Sequence, residues 1–393
     1  MMRDTFLPFS PPFIGEEEID EVVDTLRTGW ITTGPKVKRF EIEFAQFLGS
    51  EAALALNSGT AGLHVALATL GIGPGDAVVT TPMTFCSSVH VIEQVGARPI
   101  LVDIEPDTLN IDPNKIEDVL RSELRTPNSK PKAVLPVHLY GHPCDMDSIM
   151  ELARRYDLRV IEDAAHALPA KSNGRVVGTI GDLTAFSFYA TKNLTTGEGG
   201  MLTGPEALIE EARVWSLHGM NRDAWKRYTR GGSWYYEVVR PGFKYNMTDI
   251  AASIGIQQLR KLNRFQARRR EIVSRYNKAF SQFESLQTPV ERPGIEHAWH
   301  LYVLRLNLDK LRISRDEFSE ELRGRNIGTS VHFIPVHLHP YYRDKYGYKP
   351  DDFPIAHREY RRLISLPLYP KMKDRDVEDV IEAVTDILLH FPG

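Results

Sequence analysis

A chain of 393 residues, 42% hydrophobic and 25% charged, has the composition of an ordinary globular protein and enough length for two domains. Its net charge of −4 gives no reason to bind nucleic acid or an anionic membrane surface, and the basic run Arg268-Arg269-Arg270 reads as the solvated face of a helix. Two distant cysteines, Cys86 and Cys144, make neither a disulfide framework nor a CxxC metal pair, which predicts a reducing, cytoplasmic setting.

The N-terminal segment shows no signal-peptide pattern, and no stretch approaches the roughly 20 apolar residues of a membrane helix. From residue 52 onward apolar runs alternate with helical patterns. Residues 52–57, 76–82, 97–104, 132–139 and 158–163 predict strands; 59–71, 84–96, 114–122 and 145–156 predict the helices between them. Continuous apolar strands separated by helices predict an α/β fold, a mostly parallel central sheet flanked by helices on both faces. Such sheets bind ligands at the carboxyl ends of their strands. The run "FSFYATKNLTTGEGG" (186–200) predicts an apolar strand that ends at Lys192 and is followed by a glycine turn. Beyond it the pattern changes to long helices over 248–283, a strand at 300–306, a helix at 314–326, a strand at 327–333 and a final helix within 374–389. These predict a smaller C-terminal α+β domain, 261–393, after a large domain with an N-terminal arm, 1–260.

Three groups of residues carry chemistry. Ser58-Gly59-Thr60 lie between a strand end and a helix start, where free N–H groups and the helix dipole suit a phosphate; the same residues also serve as a plain helix cap. Asp163 closes the strand of "VIEDAAHA", and a buried carboxylate there needs a partner. That partner is an ion pair or a helix terminus, or else a heterocyclic nitrogen that the carboxylate keeps protonated. His166, three residues on, is either a structural histidine or part of the same site. Lys192, 29 residues beyond Asp163, is either a solvated strand-end lysine or a desolvated amine able to attack carbonyl carbon. A phosphate cup, an acidic partner for a ring nitrogen and an imine-forming lysine together make the set that pyridoxal 5'-phosphate requires.

With "GWITTGPKV", "NSGTAGLHVAL", "GIGPGDAVVTTPMTF", "VIEDAAHA", "FSFYATKNLTTGEGG", "GFKYNMTDIAASIGIQQL" and "LISLPLYP", the chain resembles the DegT/DnrJ/EryC1/StrS group nearly from end to end. These are fold-type I pyridoxal-phosphate enzymes, the nucleotide-sugar aminotransferases. Within the group, "FLPFS", "GWITTGPK", "HGMNRDAW", "HAWHLYVLRL" and "IGTSVHF" are most similar to the enzymes that make UDP-4-amino-4-deoxy-L-arabinose. The resemblance implies Lys192 as the Schiff-base lysine, Asp163 as the partner of the pyridine nitrogen and His166 near the cofactor's phenolic oxygen. It implies Phe85 as the aromatic stacked on the ring, where the arabinose enzymes carry Trp. Gly59, Thr60 and Ser187 match phosphate-cup positions, and Asn246 matches a residue that reaches the phosphate from the neighbouring subunit of a homodimer. His332 matches a sugar-nucleotide contact. The implied reaction moves the amino group of L-glutamate, which leaves as 2-oxoglutarate, to a nucleotide-linked 4-ketosugar, UDP-linked by resemblance. The product would feed a surface glycan such as lipopolysaccharide. Sugar 3-dehydratases of the group carry His where this chain has Lys192, which favours transamination.

Other kinds of chemistry compete with this reading. "SVHFIPVHLHP" (330–340) would put His337 and His339 on one face of a strand, near His332, His138 and His142. No HExxH-like carboxylate accompanies them and Pro335 and Pro340 interrupt the strand, so no metal is expected. A nicotinamide enzyme would carry GxGxxG after its first strand, which "NSGTAG" does not supply. A C3-ketosugar aminotransferase of the same family and a non-catalytic cofactor-binding regulator remain as alternatives.

Overall fold

The computed structural model describes residues 3–123, 131–221 and 235–393. The expected stretch "HGMNRDAW" therefore lies outside the described residues from 222 onward. Two helices not anticipated from sequence, α1 (Glu16–Thr28) and α2 (Pro35–Leu48), precede β1 (Ala52–Leu56). Helix α2 starts with Pro35 in its first turn and stops at Gly49, whose φ of 77° is left-handed. Its first N–H groups are capped from far along the chain, because Asp249 accepts from Gly34, Lys36 and Val37 at 2.8–3.0 Å.

Then come α3 (Gly59–Thr69), β2 (Ala77–Thr80), α4 (Ser87–Gln94), β3 (Arg98–Leu101), α5 (Pro113–Glu123), β4 (Pro131–Val134), α6 (Met146–Tyr156) and β5 (Arg159–Asp163). A short hairpin, β6 (Lys171–Ser172) and β7 (Arg175–Val176), leads to β8 (Leu183–Ser187), β9 (Gly200–Gly204) and α7 (Glu206–Ser216). The main sheet has the order β1-β9-β8-β5-β4-β2-β3. Only β9 runs against the rest, pairing antiparallel with β1 and β8. Alternation along β1 sends Leu54 and Leu56 into one apolar core and Ala53 and Ala55 into the core on the opposite face. Both faces are thus covered, as a parallel sheet requires.

The aromatic crowding in "FSFYATK" is explained by α2. Phe44 packs its ring against Phe186 at 5.3 Å and Phe188 at 5.5 Å, all three fully buried. Burial of each such side chain stabilises by about 1.5–3 kcal/mol. Strand β8 nevertheless ends at Ser187, five residues short of the expected end at Lys192. The chain turns because Phe188 gives its N–H to Gly199 and accepts from Thr196, closing a loop over 188–199 that carries Lys192.

Helix α8 (Asp249–Phe280) is one continuous rod. Its first half, with Ala252, Ile256, Leu259 and Leu262, packs in the core under the main sheet. Its second half, with Ile272, Val273, Tyr276 and Phe280, packs in the C-terminal core. The boundary we propose at residue 260 falls inside this helix. The remainder comprises β10 (Leu286–Gln287), β11 (Ile295–Glu296), β12 (Tyr302–Leu306), α9 (Arg315–Gly324), α10 (Pro340–Tyr346), α11 (Pro354–Tyr360), β13 (Leu363–Leu366) and α12 (Asp374–His390). Strands β10, β12 and β13 form an antiparallel sheet, and β11 joins the β6–β7 hairpin. The strand expected at 327–333 is not formed. Ile327 bridges Leu7 of the N-terminal arm and Ser330 bridges Ser365, so the segment is pinned from both sides without a ladder. Among the described residues no helix is long and apolar enough to cross a membrane.

Candidate active site

A cavity of about 500 Å³ opens where β1, β2, β4, β5 and β8 end at their carboxyl termini. Gly59, Thr60, Phe85, Asp163, His166, Ser187, Lys192 and His332, spread over more than 270 positions of sequence, all line it. Asn246 does not line the cavity of its own chain. It gives its amide to Thr33 at 2.6 Å and accepts from Lys244, next to the end of β1.

Strand alternation separates the two acids of "VIEDAAHA". Glu162 points away from the cavity and is held by His138 at 2.9 Å, Gly181 N–H at 2.7 Å and Thr184 at 2.8 Å. Asp163 faces the cavity. It accepts from Ser88 Oγ at 2.7 Å and Ala165 N–H at 3.1 Å, and no arginine reaches it among the described residues. Burial pushes its carboxyl above the ordinary range, against the lowering influence of the Ser88 hydroxyl and the nearby Lys192 charge.

Lys192 sits in the loop after β8, its N–H bonded to Tyr189 O at 2.9 Å, with part of its surface open to the cavity. Removal from water lowers its amine to about 8, although the Asp163 charge favours the ammonium form. The sign is that of a lysine that binds its proton more weakly in the fold: neutral above about 8, protonated below. In the cofactor-free protein, labelling of Lys192 by an amine-selective reagent should be half-maximal near pH 8. Exposed lysines should require about pH 10.4. Asp163→Asn should move the Lys192 midpoint lower, and labelling that rises only together with the surface lysines would refute the assignment.

The helix-cap reading of "NSGT" is observed, and the phosphate reading is compatible with it. Ser58 caps α3, its Oγ accepting from Ala61 N–H at 3.0 Å. The N–H groups of Gly59 and Thr60 meet no acceptor among the described residues, and both residues line the cavity at the positive end of the helix dipole. Gly59 is required for a further reason: a Cβ there would lie 2.9 Å from Cβ of Ser187, the other phosphate-cup candidate.

One wall of the cavity is aromatic. Phe85, 58% exposed, packs on Phe333 at 5.9 Å, Phe333 stacks on His166 at 5.7 Å, and His166 meets His300 at 4.4 Å. His332 stacks on Phe9 of the N-terminal arm and bonds Ser365 at 2.8 Å. His166 Nδ1 accepts from Tyr140 N–H at 3.2 Å, which leaves the ring proton on Nε2. Burial drives His166 and His300 well below the usual histidine range and His332 to about 4, so the wall is uncharged. Sequence reasoning missed Ser88, His300 and Phe333. The last two stood inside quoted motifs, but nothing in their spacing told which way they face. Among the described residues, the histidines of the competing metal reading do not converge. His337 lies in a helical turn, not on a strand, packed on Phe353; His138 is committed to Glu162 and His142 to Pro143 O.

The profile of the DegT/DnrJ/EryC1/StrS aminotransferase family matches residues 12–385. The chain belongs to this family. It is similar, at 54% identity over 99% of both chains, to an uncharacterised protein of Methanocaldococcus jannaschii. It is equally similar, at 54% over 98% of both, to SpsC, a spore coat polysaccharide biosynthesis protein of Bacillus subtilis. Among solved structures, Spr1654 of Streptococcus pneumoniae, assigned as a sugar aminotransferase, matches in its PMP form with a TM-score of 0.89 at 36% identity, covering 98% of this chain and 99% of that one. The PLP form of the same protein matches with a TM-score of 0.88. The expected reaction class, the fold-type I architecture and dependence on pyridoxal phosphate therefore hold for this member of the DegT/DnrJ/EryC1/StrS family. Its residues fit that cofactor: a buried carboxylate without an arginine partner, an amine lowered to about 8, and two helix-terminal residues whose N–H groups lack acceptors line one cavity.

Proposed function

We propose that this aminotransferase acts on a sugar, converting a UDP-linked 4-ketosugar to the 4-amino sugar with L-glutamate as donor and 2-oxoglutarate as co-product. The observation that carries the reading is the convergence of Lys192, Asp163, His166 and the Gly59-Thr60 turn on one cavity of about 500 Å³. That volume lies within the range of small-molecule sites. The substrate follows from the resemblance of the flanking motifs and from relatives named for polysaccharide biosynthesis and sugar amination.

Pyridoxal phosphate supplies, when bound, an aldehyde carbon for amine exchange and a ring that takes up the electron pair left by a broken C–H bond. The chain's residues do the rest. Gly59 and Thr60 N–H groups and the Ser187 hydroxyl would hold the phosphate. Asp163 would keep the ring nitrogen protonated, Phe85 would cover the ring, and His166 would offer its Nε2–H to the phenolic oxygen. Lys192 Nζ would anchor the cofactor and, as the free amine, would carry the proton from the donor's α-carbon and deliver one to the sugar carbon. An amine near 8 does both, since it gains and loses a proton close to neutral pH. His332, in the uncharged wall, is assigned to the sugar nucleotide.

Asn246 is assigned to the partner subunit's phosphate site, which makes a cytoplasmic homodimer the working form. Its place outside its own chain's cavity supports this, and a monomeric mass in solution would overturn it. The decisive experiment offers UDP-, dTDP- and GDP-linked 3- and 4-ketosugars with glutamate. Turnover should favour the UDP-linked 4-ketosugar at least about tenfold, the scale of one lost pocket contact. Preferred amination at C3 would refute the regiochemistry. A cofactor-loaded protein that takes no amino group from glutamate would refute the donor.

A further inference from the structure

The turn that leaves β2 carries more than the aromatic Phe85. Thr84 and Ser88 flank it, four residues apart, and both are buried to within 2% exposure. Their hydroxyls lie 2.8 Å apart, and Ser88 Oγ lies 2.7 Å from Asp163 Oδ2. The direction of the chain is determined by chemistry. An ionised carboxylate only accepts, so Ser88 must donate to Asp163, and its own oxygen is then free to accept from Thr84. On the other side Ala165 N–H holds Oδ1 at 3.1 Å, so each carboxylate oxygen has its own donor and the group cannot rotate freely.

We propose that Thr84 and Ser88 form a hydroxyl relay that positions Asp163, and keeps it ionised, for the ring nitrogen of pyridoxal phosphate. The proposal rests on the reading of Asp163 as the partner of that nitrogen. Asp163 has a conflict to resolve: its own burial favours the neutral acid, yet the protonated ring needs a charge beside it. Hydrogen bonds given to the charged form oppose that burial. Ser88 is the largest of these influences on Asp163. Thr84 orients Ser88 and lines the cavity itself. One turn thus delivers the covering ring and the support for the acid that the ring faces. Thr84 and Ser88 act through Asp163 and are positioning residues.

The test is a titration of the cofactor-free protein with pyridoxal phosphate, followed by absorbance, for Ser88→Ala, Thr84→Val, Asp163→Asn and Ser88→Ala/Asp163→Asn. A hydrogen bond to a charged group sets the expected loss of affinity for Ser88→Ala at about tenfold; a neutral one sets that for Thr84→Val at about threefold. In the Asp163→Asn background the Ser88→Ala effect should vanish, since the group it acts through is gone. Equal losses in both backgrounds would make Ser88 a packing residue and overturn the relay. So would Asp163→Asn losing affinity while Ser88→Ala and Thr84→Val do not. Asp163→Asn without any loss would instead overturn the reading of Asp163 itself. Should Ser88→Ala fail to fold, Thr84→Val with and without Asp163→Asn decides by the same criterion.

Discussion

Lys192→Ala should leave a folded protein that no longer turns over, with activity reduced by about 10³-fold or more. The expectation combines two losses at one atom. Nζ is the only primary amine lining the cavity among the described residues, so the covalent link to the cofactor disappears. The same nitrogen, near 8, is the one proposed to carry the proton at carbon, and burial makes the histidines of the wall much weaker bases than it. The fold should survive because Lys192 makes no side-chain hydrogen bond or ion pair among the described residues. Its loop is held by backbone bonds, by Asn193 to Leu168 O and Ala298 O at 2.9 and 2.7 Å, and by Thr195 to Phe188 O at 3.1 Å. Borohydride treatment of the cofactor-loaded protein followed by peptide mass mapping checks the link; single-turnover measurements with glutamate check the rate. A stable covalent adduct at another lysine, or residual activity within tenfold of the parent, would sink the assignment.

Gly200→Ala should cost about 3 kcal/mol of stability and loosen cofactor binding together with it. Gly200 pairs with both Leu56 and Ser187, so β9 is wedged between the two strands whose ends form the phosphate cup. A Cβ there would stand 2.4 Å from Ser58 O and 2.6 Å from Gly59 N. Both are backbone atoms of the capped turn and have no rotamer to yield. Accommodation therefore means moving the turn, and with it the N–H groups assigned to the phosphate. Gly197→Ala is the control: its φ of 81° makes the change locally strained, but an added Cβ would meet nothing within 4 Å. The thermal midpoint and the affinity for pyridoxal phosphate should both fall for Gly200→Ala, and affinity should be nearly unchanged for Gly197→Ala. Equal affinities would show that the turn tolerates the methyl group.

Much of this protein was legible from local signals. Continuous apolar runs in alternation with helical runs are statements about which faces are buried, and they sufficed for the order of β1 to β5 and the helices between them. Asp163 was legible because an acid closing an apolar strand is costly without a partner, and Lys192 because polar turn residues surround it after Phe186 and Phe188. Other parts were not legible because their causes lie elsewhere in the chain. The strand expected to reach Lys192 stops at Ser187 because Gly199 and Thr196 fold back on Phe188. The segment 327–333 has strand-like residues, but single contacts with Leu7 and Ser365 take the place of a ladder.

From the amino-acid sequence alone came the parallel α/β architecture, the candidate anchor and acid, and the resemblance that names the cofactor. Those depend on residue type and on neighbours a few positions away. What each site residue leans on is set by packing between distant parts of the chain. Asp163 rests on a serine 75 positions earlier, His166 is neighboured by His300 and Phe333, and Gly200 is needed by a backbone turn 142 positions before it. Such dependencies arise where strands distant in sequence end side by side, and no periodicity records them.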